Sequence, residues 1–280
     1  MDDDWTPMGA DPERLAALHE GIPKWLSMPF WEWVNCAAQT ASEDGSGLDL
    51  LQDYDTRMRL VNPLAPQMQS YELADVIESQ GDLDLTFSFV DYLIAELSWM
   101  GADHEVADLE EVLRQSGSTW RVGIRNGHPG LERRVAIGVQ EAAEAAMATP
   151  GHAGTLLSEA WHAAFGASPL PEVAFSKAVK AVEAASIPVV LPADTNATLG
   201  KVISKMKADA DWTLPLAREH ADYPTAMVVI GMMQALWSGQ DDRHAGQPNY
   251  KPSAQEAGEA AVLLAVPLVH WFTDGTIAHR

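Results

Sequence analysis

The sequence predicts a mainly α fold: a helical N-terminal region, one short β-hairpin and a C-terminal helical bundle. Three observations carry this. Apolar residues recur at helical spacing in segment after segment, most of them closed by Gly or Pro. Only residues 119–135 switch to a period of two, around Asn126-Gly127, the strongest short hairpin signal. Near the C-terminus two long apolar segments flank one polar loop, Gln240-Asp241-Asp242-Arg243-His244-Ala245-Gly246-Gln247. The expected organisation is an acidic helical domain over 1–118, a hairpin connector over 119–135 and a helical domain over 136–280.

In chain order, residues 1–10 read as a loose acidic tail and 12–19 as a short helix ended by Gly21-Ile22-Pro23. Trp25, Phe30, Trp31, Trp33, Val34 and Ala37 then lie close together, as an aromatic core cluster or a partner-binding surface. Helices are expected over 48–60, 71–78, 82–99 and 106–114, with a turn at 62–66. The strongest of these carries Leu85, Phe89, Tyr92, Leu93 and Leu97.

The hairpin brings Arg121, Arg125, Arg133 and Arg134 together as the densest basic patch. Such a ribbon either holds a phosphate backbone or pairs with the acidic N-terminal half. Alanine-rich helix follows over 136–149, then helices over 152–165 and 172–187, an extended stretch over 188–192 and a helix over 199–207. The segment 226–237 is apolar on almost every side, the pattern of a helix buried among others. Ser253 and Glu256 read as a capping box opening a last helix through Leu264, Leu268 and Trp271. Two such helices joined by a turn pack antiparallel and present the loop at their shared end.

Nearly half of the 280 residues are hydrophobic, enough for a substantial core. Forty acidic against 18 basic residues give a net charge of −22, which argues against broad nucleic-acid or membrane-surface binding. The second half is the less acidic, and residues 172–207 hold five lysines against Glu172, Glu183 and Asp194. Lys177, Lys180, Lys201 and Lys205 there form either a solvated face or an RNA-backbone ledge. Cys36 is single, which suits a reducing cytoplasm. The acidic start is unlike a signal peptide, and the run 260–272 is too short for a membrane span and holds Pro267 and His270. No Gly-rich phosphate loop, Gly-x-Ser-x-Gly, His-Glu-x-x-His or Cys-x-x-Cys pattern occurs, so no cofactor and no metal are expected.

The run "LWSGQDDRHAGQPNYKPSAQEAGEAAVLLAVPLVHWF" resembles the C-terminal module of abortive-infection proteins. These are a branch of the HEPN (higher eukaryotes and prokaryotes nucleotide-binding) helical domains, in which a polar loop ending in His-Gly precedes Ser-x-x-Glu-Ala and an alanine-rich helix. The segment "PEVAFSKAVKAVEAASIPVVLPADTNATLGKVISKMK" is similar to the unit that precedes the loop in actinobacterial relatives. Together the likeness spans about residues 161–272. A "W-R-V … L-E-R-R-V" stretch like that of 120–135 joins the two regions in such relatives.

That resemblance implies an actinobacterial or phage-borne antiphage defence protein with a HEPN-like C-terminal bundle, acting as a homodimer and a metal-independent endoribonuclease. In HEPN ribonucleases a His and an Arg from two protomers meet and cleave RNA through its 2′-hydroxyl. The family carries Arg, then four to six intervening residues, then His; here the positions where that Arg would fall hold Trp237, Ser238 and Gly239, and the nearby arginine is Arg243. His244 suits the proton-transfer role and Arg243 the cation beside the phosphate, with Gln240, Asp241 and Asp242 as loop support. The acids would repel a phosphate while favouring a charged imidazole. A structural role for His244 is the other reading. On that reading the chain is a catalytically silent interaction or scaffold protein that dimerises, inhibits a toxin or imitates nucleic acid.

Overall fold

The computed structural model describes residues 8–9, 11, 15, 17–69, 72–125, 127–209, 211–239 and 254–279. It is mainly helical, with 65% helix and one short two-stranded antiparallel hairpin of the expected kind. The chain divides into two compact units, Met1–Arg134 and Val135–Arg280. Of the helix expected over 12–19, residues 12–14 and 16 lie outside the described residues, and 17–19 are not helical: His19 forms a parallel bridge with Ser118 instead.

The first unit is built on α1 (Lys24–Ala41), α2 (Leu48–Met58), α3 (Leu73–Ser79), α4 (Leu83–Met100), α5 (Asp103–Gln115) and the hairpin β1 (Trp120–Arg125) and β2 (His128–Arg133). Helix α4 is bounded at both ends by its sequence. The Asp82 carboxylate accepts the Leu85 N–H at 3.1 Å, and Gly101 closes the helix at φ 77°, a left-handed position that glycine occupies without strain. Its buried side carries Phe87, Phe89, Val90, Leu93, Ile94 and Leu97. Phe30 of α1 meets Phe87 edge-on, and Tyr54 of α2 meets Phe89 edge-on. The Trp33 indole N–H donates to the Glu105 carbonyl at 2.7 Å and so ties α1 to α5. The aromatic cluster is therefore core at Phe30 and Trp33, whereas Trp25 is 56% exposed.

The hairpin pairs Trp120 with Arg133 and Gly123 with Gly130. Trp120 stacks near Phe87 with centroids 4.8 Å apart, and Asp91 of α4 accepts the Leu131 N–H at 2.7 Å. It is thus packed as part of the first unit, where the sequence suggested a connector between domains.

The turn from α1 to α2 rests on one hydroxyl. Ser42, 8% exposed, donates to Asp49 at 2.6 Å and accepts the Gly47 N–H at 3.0 Å. Burial pushes the Asp49 carboxyl up, but the Ser42 hydroxyl and the Glu43 N–H together outweigh it and hold the pKa below the usual carboxylate range. A folded-state pKa below the unfolded one gives stability that is present above the ordinary carboxylate range and lost as pH falls through the lowered value. Ser42→Ala is expected to cost about 1–3 kcal/mol at neutral pH, because two partners lose their bond. It should also flatten the loss of stability on acidification. Denaturant unfolding at neutral pH and in steps through the carboxylate range checks both effects.

The second unit holds α6 (Ile137–Met147), α7 (His152–Phe165), α8 (Pro171–Val190), α9 (Leu199–Asp209), α10 (Thr225–Ser238) and α11 (Gln255–Thr273). Helix α8 is central: Ala174, Ala178, Ala181 and Ala185 are buried, and small side chains let α7 and α11 approach it closely. Trp161 of α7 is fully buried, its ring 4.5 Å from that of Phe165. Gly154 lets α7 begin close under α6, because a Cβ there would lie 2.2 Å from the Thr149 carbonyl oxygen.

Three sequence expectations change here, and one pair of short strands is added. Helix α8 continues through Pro188, where an extended stretch was expected. Proline in the last turn removes one hydrogen bond, and burial of Ser186 and Val190 carries the helix on. The two-residue strands β3 (Trp212–Thr213) and β4 (Ala278–His279) pair antiparallel and have no sequence signal of their own length. The cap position of α11 is Ala254, one residue past the expected Ser253, which lies outside the described residues. Helix α10 is not buried on every side: Met227 and Val228 are 59% and 46% exposed, because its packing partners α9 and α11 cover one face only. No helix among the described residues is long and apolar enough to cross a membrane.

Candidate functional site

The polar loop expected to carry the chemistry, Gln240, Asp241, Asp242, Arg243 and His244 with its neighbours to 253, lies outside the described residues. Both of its flanks are described. Gly239 ends α10, its N–H bonded to the Ala235 carbonyl at 2.9 Å, and a Cβ on it would lie 3.1 Å from the Phe175 ring. On the other flank the Gln255 side-chain amide donates to the Ala164 carbonyl at 2.6 Å and to Glu259 at 2.9 Å. One turn further, Gly258 lies against Pro171, whose Cα would be 3.0 Å from an added Cβ.

Ala164, Pro171 and Phe175 belong to the last turn of α7 and the first turns of α8. The end of α10 and the start of α11 are therefore fixed to one corner of the bundle. Leu170 and Val173, 56% and 42% exposed, lie at that corner.

The structure places the four candidate RNA-ledge lysines on two helices. Lys177 and Lys180 are on α8, and Lys201 and Lys205 on α9. Lys177 is ion-paired with Glu159, Lys201 with Asp194 at 3.0 Å and Lys205 with Asp209 at 2.6 Å. Lys180 is exposed. The Asn196 N–H, and after it the Lys201 ammonium, hold the Asp194 carboxyl below its ordinary range. A phosphate approaching α9 thus competes with carboxylates already seated on Lys201 and Lys205. Exposed pairs of this kind are weakened by water and salt.

The hairpin arginines are occupied in the same way. Arg125 pairs with Asp91 at 2.7 Å, Arg134 with Glu110 at 2.8 Å, Arg133 with Glu20 at 2.9 Å and Arg121 with Glu132 at 3.5 Å. Of the two sequence readings, pairing with the acidic N-terminal half is what the geometry contains.

A second feature went unnoticed in the sequence. A groove of about 600 Å³ runs along α10, with Met206, Trp212, Met227, Ile230 and Gly231 among its walls. Lys207, Glu219 and Gln234 supply its polar groups. The available signal was that residues 223–239 contain no charged side chain in a chain that has 58. Within that run, the segment 226–237 has the pattern of a helix buried among others, whereas Met227 and Val228 are exposed and Met227, Ile230 and Gly231 border this groove.

No protein-family model, no curated protein and no solved structure matches the chain.

Proposed function

We propose that the chain is an abortive-infection-type defence protein whose second unit is a HEPN-like helical module acting on RNA as a metal-independent endoribonuclease. The observation that supports this reading best is the corner where α7 meets α8. The residues bounding the His244 stretch, Gly239 and Gln255, are both held there, by Phe175 and by the Ala164 carbonyl. Flanks fixed on a rigid bundle are the kind of support on which functional segments are carried.

In the proposed reaction His244 takes the proton of the RNA 2′-hydroxyl. The 2′-oxygen bonds to phosphorus as the bond to the 5′-oxygen breaks, and the 5′-oxygen takes a proton from water, giving a 2′,3′-cyclic phosphate and a 5′-hydroxyl. Arg243 supplies positive charge beside the phosphate, and Asp241 and Asp242 favour the charged imidazole. Lys180, with Lys177, Lys201 and Lys205, is the ledge for the backbone. The active species is a homodimer.

The ion pairs favour a second reading. Among the described residues, seven of the eight basic side chains singled out for phosphate contact already hold carboxylates. That is the arrangement of a catalytically silent interaction protein, a scaffold or toxin inhibitor whose acidic surface faces a basic partner. Incubating the purified full chain and its His244→Ala variant with total RNA separates the two. The first reading expects cleavage by the wild type alone and a mass near twice 30.4 kDa by light scattering. Equal degradation by both proteins, or none, favours the second.

A further inference from the structure

We infer that the groove along α10 is a binding site for a small amphipathic organic acid, one apolar body carrying a single anionic group, independent of what His244 does. Its volume, about 600 Å³, lies within the roughly 300–1,000 Å³ of small-ligand sites. The floor is closed and apolar: Met206 is 0%, Trp212 3% and Ile230 8% exposed. Met227, 59% exposed, forms an unbranched and adaptable lip.

The walls are set in advance by a polar clip. The Glu219 carboxylate accepts the hydroxyls of Thr213 and Thr225 at 3.0 and 2.8 Å, and the Leu214 N–H donates to the Thr225 hydroxyl at 3.1 Å. This fastens the segment after β3 to the first residue of α10, so little ordering remains to be done on binding.

Charge selects the ligand. Of the α9 lysines, Lys201 and Lys205 face carboxylates, whereas Lys207, in the groove, bonds the neutral Gln234 amide oxygen at 3.1 Å. An anion gains a charge-assisted bond there without displacing a carboxylate. Glu219 repels the same anion from its own part of the groove, so the acid group is drawn to Lys207 and the apolar body lies over Trp212 and Ile230.

Anilinonaphthalene sulfonate, an aromatic body with one sulfonate, is the probe, titrated into the full chain by calorimetry and fluorescence. The expected result is saturable binding of one probe per chain. Gly231→Leu fills the groove from a position where a Cβ meets nothing within 4 Å, so the fold stands and binding weakens on the order of tenfold or more. Lys207→Gln weakens the sulfonate severalfold and leaves uncharged phenylnaphthylamine unchanged. Wild-type affinity in Gly231→Leu, non-saturable binding, or equal loss of both probes in Lys207→Gln overturns the proposal. So does a dimer that Gly231→Leu dissolves and the probe does not disturb, which would make the groove a surface for a second copy. Should Gly231→Leu lose its helical circular dichroism, the surface change Lys207→Gln decides alone.

Discussion

Trp161→Ala is expected to be the most damaging single truncation in the second unit, costing about 3–5 kcal/mol. Trp161 is 0% exposed, stacks with Phe165 and sits in α7 beside the alanine face of α8. Small neighbours are the reason for the high cost. The alanines of α8 have no side chain long enough to swing into the space, so the cavity stays open and its lining loses contacts outright. Ala164, three residues on from Trp161 in α7, receives the Gln255 amide through its carbonyl, so the start of α11 is expected to loosen with it. Denaturant unfolding of the variant gives the energy, and amide exchange at Gln255–Thr273 gives the consequence. A loss under about 1.5 kcal/mol would mean that the helices collapse onto the gap.

Glu132→Ala has the comparable effect in the first unit. Glu132 is 2% exposed in β2 and its carboxylate lies 3.5 Å from the Arg121 guanidinium, itself only 23% exposed. Deleting the carboxylate removes a facing charge from a guanidinium that is mostly out of solvent, at about 3–5 kcal/mol. Gly123 on the opposite strand makes the point testable in a second way. A Cβ there would lie 2.2 Å from the Glu132 carboxyl carbon, so Gly123→Ala alone also destabilises. In the double variant the missing carboxylate vacates the space the new methyl needs, and the two losses should sum to less than their separate values. Strict additivity in the measured unfolding energies would show that the carboxylate does not fill that space.

These two sites show where the sequence was informative. Asn126-Gly127 placed the hairpin, and the excess of acids in the first half made carboxylates the expected partners of its arginines. Which acids, Glu20, Asp91, Glu110 and Glu132, depends on packing between segments up to 113 residues apart, which no local pattern encodes. Helix existence followed from periodicity, whereas the failures came from reading composition as environment. The segment 226–237 reads as a helix buried among others, yet polarity alone does not distinguish a core helix from one bordering a groove. Pro188 read as a breaker because its cost is local, while the burial that overrides it comes from neighbouring helices. Trp212 pairs with His279, 67 residues further along the chain, and two-residue strands carry no alternation to detect. The polar loop was identified by its contrast with the apolar helices on either side, and the α7–α8 corner that tethers its flanks required the structure.

The most direct test of the proposed function is the chemistry of the RNA ends. Wild-type protein incubated with a defined RNA in chelator should leave 2′,3′-cyclic phosphate and 5′-hydroxyl termini, and His244→Ala should leave the RNA intact. Termini with 5′-phosphate and 3′-hydroxyl, dependence on added metal, or the same cyclic products from His244→Ala would contradict it.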